Sequence, residues 1–198
     1  MKKTFFALSI IAFCAYGASA QGISGGLKLG ANFANMKYSA EGLDFSPSSR
    51  TSLHGGFYLT VMVSETFGVQ PELLYNSVGS KIAFGSDDIV SQLDYLTVPV
   101  MLRYNPVKVF NIHAGPQFGF LMSAKDKYDG DSEDAKDRYK GLDLGLGVGA
   151  GVDLPMGLGI SARYVLGLSN IAELEDGEEG SLKNNVIQLS VSYRLFGE

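Results

Sequence analysis

The sequence predicts an all-β protein: an eight-stranded antiparallel up-and-down barrel that crosses a membrane. Three observations carry that prediction. After a short apolar leader the chain divides into eight stretches of roughly ten residues or more in which apolar side chains alternate with small or polar ones. The connections between these stretches run long, short, long, short, long, short, long. The non-apolar face of the most regular stretches is glycine and serine with a few charges, a poor surface for water but a suitable filling for a narrow interior.

The leader comes first. Met1-Lys2-Lys3 precedes the apolar run TFFALSIIAFCAYG, and Ala18-Ser19-Ala20 supplies a small-x-small cleavage site before Gln21. This pattern predicts a removed secretory signal over residues 1–20 and a barrel domain over 21–198. The single cysteine, Cys14, lies in the leader behind Phe13, where a lipoprotein signal needs a small residue. The exported chain is therefore expected to hold neither disulfides nor cysteine metal sites. Without Lys2 and Lys3, 14 of the 16 basic residues remain against 21 acidic ones. A net charge near −7 argues against nucleic acid as a partner.

No later stretch is apolar for long enough to be a membrane helix. The strand segments are 23–36, 52–64, 66–78, 93–105, 109–123, 140–154, 157–169 and 185–196. Between them lie 37–51, a turn near Glu65, 79–92, Asn105 to Lys108, 124–139, Pro155-Met156 and 170–184. An even strand count with alternating connection lengths puts every long loop at one end and both termini at the other. That layout predicts the bacterial outer membrane, with long loops extracellular and both mature termini periplasmic.

Parity assigns the faces. In the sixth segment Leu142, Leu144, Leu146, Val148, Ala150, Val152 and Leu154 oppose Asp143, Gly145, Gly147, Gly149, Gly151 and Asp153. In the eighth, Ile187, Leu189, Val191, Tyr193 and Leu195 oppose Gln188, Ser190, Ser192 and Arg194. Phe67, Tyr104, Phe110 and Tyr193 share the apolar parity and fall at the short-turn rim, the place of a periplasmic aromatic girdle. Tyr75 and Phe120 suit the opposite rim. The inward parity collects Lys28, Asn32, Glu72, Arg103, Asp143, Asp153, Arg163 and Arg194. Uncompensated charge in so narrow a lumen is costly. The expectation is a charged interior network with Glu72 beside at least one of Arg103, Arg163 and Arg194, and a plugged lumen.

Pro99, in YLTVPVMLRY, shares the inward parity, and Pro71 and Pro116 stand at similar heights on the neighbouring strands. Three missing donors there predict local bulging or widened hydrogen bonding, with Pro99 departing from regular ladder pairing and its opposing carbonyl satisfied by water or an interior side chain.

The ordered phrases QPELLYNSVGSK (70–81), YLTVPVMLRY (95–104), IHAGPQFGFLMSAK (112–125), LGLGVGAGVDL (144–154) and ARYVLGLSNI (162–171) resemble the small porin-like outer-membrane beta-barrel family common in Bacteroidota. The resemblance implies a barrel similar in architecture to the eight-stranded OmpA-type and OmpX-type proteins, and it supplies no catalytic residues. It departs from the usual barrel ending in that Phe196 lacks the lipid-facing parity and Gly197-Glu198 follow it.

Other chemistry is sparse. Segment 126–138 holds six acidic and three basic residues, and 173–180 holds five acidic and no basic ones. Neither has the ligand spacing of an EF-hand. His54 and His113 both have inward parity and form no metal cluster with other ligands. Ser52 beside His54 is sequence proximity rather than catalytic geometry. The glycines at 145, 147, 149 and 151 keep the two-residue period of a strand and are no nucleotide loop. The reading is a non-enzymatic envelope-structural or surface-interaction barrel without cofactor or metal. Its partners are outer-membrane lipids, lipopolysaccharide and the assembly machinery. The rival functions are a narrow pore for ions or small solutes and a lipid A-modifying enzyme.

Overall fold

The computed structural model describes residues 22–40, 43–45, 48–84, 87–128, 131–173 and 180–197. Residues 1–20, read above as a removable leader, lie outside that set, as does most of the second acidic segment. The elements are β1 (Ile23–Ala40), β2 (Leu43–Phe45), β3 (Ser48–Met62), β4 (Phe67–Phe84), β5 (Asp87–Val107), β6 (Phe110–Tyr128), β7 (Asp131–Asp134), a 3₁₀ turn at Lys136–Arg138, β8 (Leu142–Asp153), β9 (Leu158–Gly167) and β10 (Ser181–Phe196). Among the described residues no helix is long and apolar enough to cross a membrane.

Every strand pairing is antiparallel. The order runs β1, β3, β4, β5, β6, β8, β9, β10, and β10 pairs back onto β1 from Phe196 opposite Gly25 to Ser181 opposite Ser39. The ladder of eight long strands thus returns to its start, leaving no long strand with an unpaired edge. Beyond these eight long strands, β2 and β7 are short additions that pair with the ends of β1 and β6 and bring the described strands to ten.

The side chains are distributed the opposite way from a water-soluble protein. Along β10 the outward residues Ile187, Leu189, Val191, Tyr193 and Leu195 are about half exposed, whereas Gln188 is 1% and Ser190 7% exposed. Leu29, Leu53 and Leu102 stand out on other strands at 66–70% exposure, while Lys28, Asn32, Glu72 and Arg163 are buried. Such a wall suits hydrocarbon outside and polar packing inside.

The long connections are less loop-like than expected. Segment 79–92 is mainly a continuation of the β4–β5 ladder, paired from Gly79 with Gln92 to Phe84 with Asp87. A membrane strand needs only about 9–11 residues, so the 21 residues of β5 extend well past the hydrocarbon. Hydrophobic alternation fades there, which is why the sequence reads as loop, but the backbone bonds continue. Gly79 adopts φ +139°, a conformation that side-chain-bearing residues rarely take. At the opposite end the turns are short. Leu154 N–H bonds to Leu158 O (2.7 Å) around Gly157, which has φ +80°.

Of the two departures expected at Pro99, the bulge is absent and the lapse in ladder pairing is present. Pro71 with Val100 and Leu74 with Thr97 keep one register on the β4 side, and Pro99 with Gln117 and Leu102 with Ala114 keep one register on the β6 side. Pairing lapses between these pairs without slipping. A proline removes one donor, whereas a bulge needs an inserted residue, so the flanking pairs carry the register through. Beside the gap, Thr97 Oγ1 donates to the Leu74 carbonyl at 3.2 Å. Register shifts occur elsewhere, between Asp94 and Tyr95, between Tyr104 and Val107, and between Gly25 and Gly26 opposite Phe196. The last of these breaks the parity count at the C-terminus.

Towards the long-connection end the interior becomes apolar. Ala34, Met36, Val78, Leu93, Tyr95, Leu121, Ala124, Val165, Ile171 and Val186 form one cluster, with Tyr139 and Leu182 against it. The described start of the β9–β10 connection is tied to this end, since Ile171 N–H bonds to Leu182 O (2.9 Å) and Lys140 N–H to Ile171 O (2.8 Å).

Candidate functional site

Glu72 on β4 is the centre of the lumen. Its Oε1 accepts from Lys28 Nζ on β1 at 2.5 Å, from Gln70 Nε2 at 2.7 Å and from an Arg163 guanidinium nitrogen on β9 at 2.7 Å. Its Oε2 accepts from the other terminal nitrogen of Arg163 at 3.0 Å. The carboxylate and guanidinium therefore meet through two parallel bonds, the strongest geometry for such a pair. The three charged side chains are 0–5% exposed. Lys28 Nζ also lies 5.9 Å from the centre of the Tyr58 ring, within cation–π range.

Gln70 relays this cluster to a second one. Its Oε1 accepts from Thr60 Oγ1 (3.1 Å) and from Arg103 (2.9 Å). Arg103 also donates to Asn105 Oδ1 (3.0 Å) and is ion-paired to Asp153, which accepts from Asn111 Nδ2 at 3.0 Å. Asn111 Oδ1 in turn bonds His113 Nδ1 at 3.0 Å. Thus Lys28, Glu72, Arg163, Arg103 and Asp153 form one connected polar system.

Two of the residues named from sequence lie apart from it. Asp143 accepts from Ser169 Oγ (3.0 Å) and Asn184 Nδ2 (2.9 Å) near the opposite end. Arg194 lines a vestibule of about 750 Å³ at the short-turn end, together with Arg103, Asp153 and Lys108. It makes no ion pair among the described residues. On the outer wall Phe67 and Tyr104 stack at 4.8 Å. Tyr193 is half exposed, and Phe110 pairs with Val107 across the turn and with Val152 on β8.

A second polar hub joins Asn32 and His54, whose inward parity the sequence shows but whose contact it does not. Asn32 donates to Asn76 Oδ1 (2.6 Å) and Ser77 O (2.8 Å), and its Oδ1 meets His54 Nδ1 (2.8 Å) and Gln188 Nε2 (3.2 Å). His54 Nε2 reaches Ser190 Oγ at 2.8 Å, while Ser52 Oγ donates to Ser77 O at 2.6 Å. Ser52 and His54 are therefore engaged separately, with no nucleophile–base pair between them. The available signal was inward parity of polar residues on four neighbouring strands. Among the described residues no group of three His, Cys, Asp or Glu side chains is arranged to hold a metal ion.

An apolar wall around a polar lumen, in a ladder without a free long edge, defines a small outer-membrane β-barrel protein. Residues 19–173 match the family model described as outer membrane protein beta-barrel domain. The chain belongs to that family, and its location is the outer membrane. Long connections on one side and short turns with the termini on the other make those ends extracellular and periplasmic, respectively. Among solved structures it is similar to Ail, the attachment invasion locus protein of Yersinia pestis, at 16% identity and TM-score 0.52, covering 89% of this chain and 100% of that one. Neisserial surface protein A gives 12% identity and TM-score 0.52, covering 87% and 99%. Likeness at these identities concerns the fold. No curated protein matches the sequence.

Proposed function

We propose that the chain is an eight-stranded transmembrane barrel with a plugged lumen, serving an envelope-structural or surface-interaction role without catalysis. The observation that carries this reading is the buried Glu72, held from across the lumen by Lys28 on β1 and Arg163 on β9. Solute or ion passage would require displacing a carboxylate bonded to two cations. The apolar cluster beneath the extracellular hairpins supports the same reading from the other end. Lipids and lipopolysaccharide surround the wall, the assembly machinery inserts it, and residues 1–20 serve as the cleaved export signal. The acidic hairpin ends offer the contact surface to the outside. The acidic excess in 126–138 disfavours carrying over the sulfated heparin analogue bound by Ail.

Planar-bilayer recording of the refolded full-length mature chain tests the plug. The wild type is expected to show no steady conductance, and Glu72→Ala is expected to introduce one. Steady wild-type conductance that interior charge substitutions alter would overturn the plug. A lipid A mass shift on exposure to the protein would overturn the non-catalytic role.

A further inference from the structure

Tyr95 on β5, Gln117 on β6 and Asn184 on β10 are 2%, 9% and 4% exposed. Each holds a buried polar atom, Tyr95 Oη, Gln117 Oε1 and Asn184 Oδ1, without a hydrogen-bond partner in the protein. All three residues line one interior cavity of about 20 Å³. The cavity follows from the sequence. Gln117 pairs with Gly145 and Gly145 with Gly167, and Leu166 beside it pairs with Asn185 next to Asn184. Two glycines thus stand in the row between Gln117 and Asn184, where side chains would otherwise fill the lumen. The register shift at Asp94 and Tyr95 sets the phenol against this gap, with its ring over Gly119.

We infer that this cavity is a structural water site in which one water molecule is held by Tyr95, Gln117 and Asn184. The donor and acceptor count selects the ligand. The Asn184 amide is oriented by its Nδ2 bond to Asp143 Oδ2 at 2.9 Å, so its oxygen faces the cavity. Two amide oxygens need donors, and a phenol has a single hydrogen to give. Water supplies a donor to each oxygen and accepts the phenol hydrogen. The room fits one molecule, since a water site needs roughly 10–15 Å³ and two to four polar partners. A metal cation would want more oxygen ligands, and the Asp143 oxygens are already engaged by Ser169 and Asn184. Asn76 and Thr97 also line the cavity, but Asn76 Oδ1 accepts from Asn32 and Thr97 Oγ1 donates to Leu74 O, and Val78, Val165 and Val186 border the remainder.

The test is a crystal structure of the full-length mature protein from a lipidic phase, together with water–amide cross-relaxation by NMR in bicelles. The expected result is a density peak within about 2.6–3.2 Å of all three atoms. The Gly145 or Gly167 amide should also show a water cross-peak with the sign of a long-held molecule. In Tyr95→Phe, which keeps the ring and the fold, the cross-peak is expected to be lost or sharply weakened. Retained heat-dependent gel migration checks the folding of that variant. A dry cavity in the wild type overturns the inference. So does an anomalous peak there after a rubidium soak, which would make the site a cation site. A peak and cross-peak unchanged in Tyr95→Phe would remove the phenol from the site and overturn the three-partner assignment.

Discussion

The proposed plug has two parts that rest on different physics. Near the middle of the chain's inner face, Glu72 gathers two cations and an amide around one carboxylate. Towards the extracellular end, Ile171, Leu93, Met36 and their neighbours fill the interior by apolar packing. The first closure is directional and all-or-none, since removing the acceptor leaves buried charges unanswered. The second is additive, since each side chain contributes its own burial. The two regions should therefore fail differently when they are cut.

The largest effect is expected from Glu72→Ala. Breaking a buried pair by deleting one partner costs about 3–5 kcal/mol, and here one deletion strands both Lys28 and Arg163. Urea unfolding in lipid vesicles should show the loss. Lys28→Met is the contrast: it leaves the two-bond contact between Arg163 and Glu72 intact and is expected to cost far less. Equal losses for the two variants would mean that Glu72 is no hub.

Ile171→Ala is expected to come next, at about 2–3 kcal/mol, the lower part of the range for truncating a buried isoleucine. Its effect should stay local. The Lys140 and Leu182 amides, which bond Ile171 O and Asn170 Oδ1, should exchange hydrogen faster, while the amide of Arg163 should not change. Faster exchange at Arg163 would show that the two closures are coupled.

These two regions also differ in how much of them the sequence discloses. Strict alternation along β8 and β10 places Leu146 and Val191 outward, and the same parity turns Glu72, Lys28 and Arg163 inward. Which inward charges touch depends on how the strands are staggered around the ring, and one strand's alternation carries no trace of that. Parity thus groups Asp143 and Arg194 with the rest, although they lie apart. The apolar closure was illegible for another reason. Ile171 and Leu182 lie in a connection without period, and Asn184 falls one residue before the segment assigned from sequence. Their burial arises because β10 starts at Ser181 and Ala172 bridges to Tyr139. At Pro99 the missing donors announced a break in the ladder but not its form, since the neighbouring pairs hold the register and no bulge develops.

A smaller effect is expected on the wall. Phe67 and Tyr104 stack at 4.8 Å at the periplasmic rim, and such a pair contributes about 0.5–1.5 kcal/mol beyond its area. Tyr104→Leu should lower vesicle stability by that amount without opening either closure, so bilayer recordings of this variant should stay silent. Conductance from it would mean that the rim, rather than the lumen, sets the seal.

The smallest effect is expected from Arg138→Ala, which asks whether charge contributes at the apolar end at all. Arg138 is ion-paired to Asp126 at 3.0 Å, but the arginine side chain is 63% exposed. Pairs in such a setting contribute about 0–1 kcal/mol, and at 1 M salt the screening length of roughly 3 Å removes most of that. The neighbouring structure does not rely on the guanidinium. The Arg138 carbonyl accepts from Glu173 N–H and its own N–H bonds to Ala135 O, both at 3.0 Å, and both survive the substitution. Exchange at Lys140 and Leu182 should therefore match the wild type in high salt and differ little from it in low salt. If Arg138→Ala instead speeds those amides as much as Ile171→Ala does, then the extracellular closure is held by charge, and the contrast between a directional lumen and an additive cork does not hold.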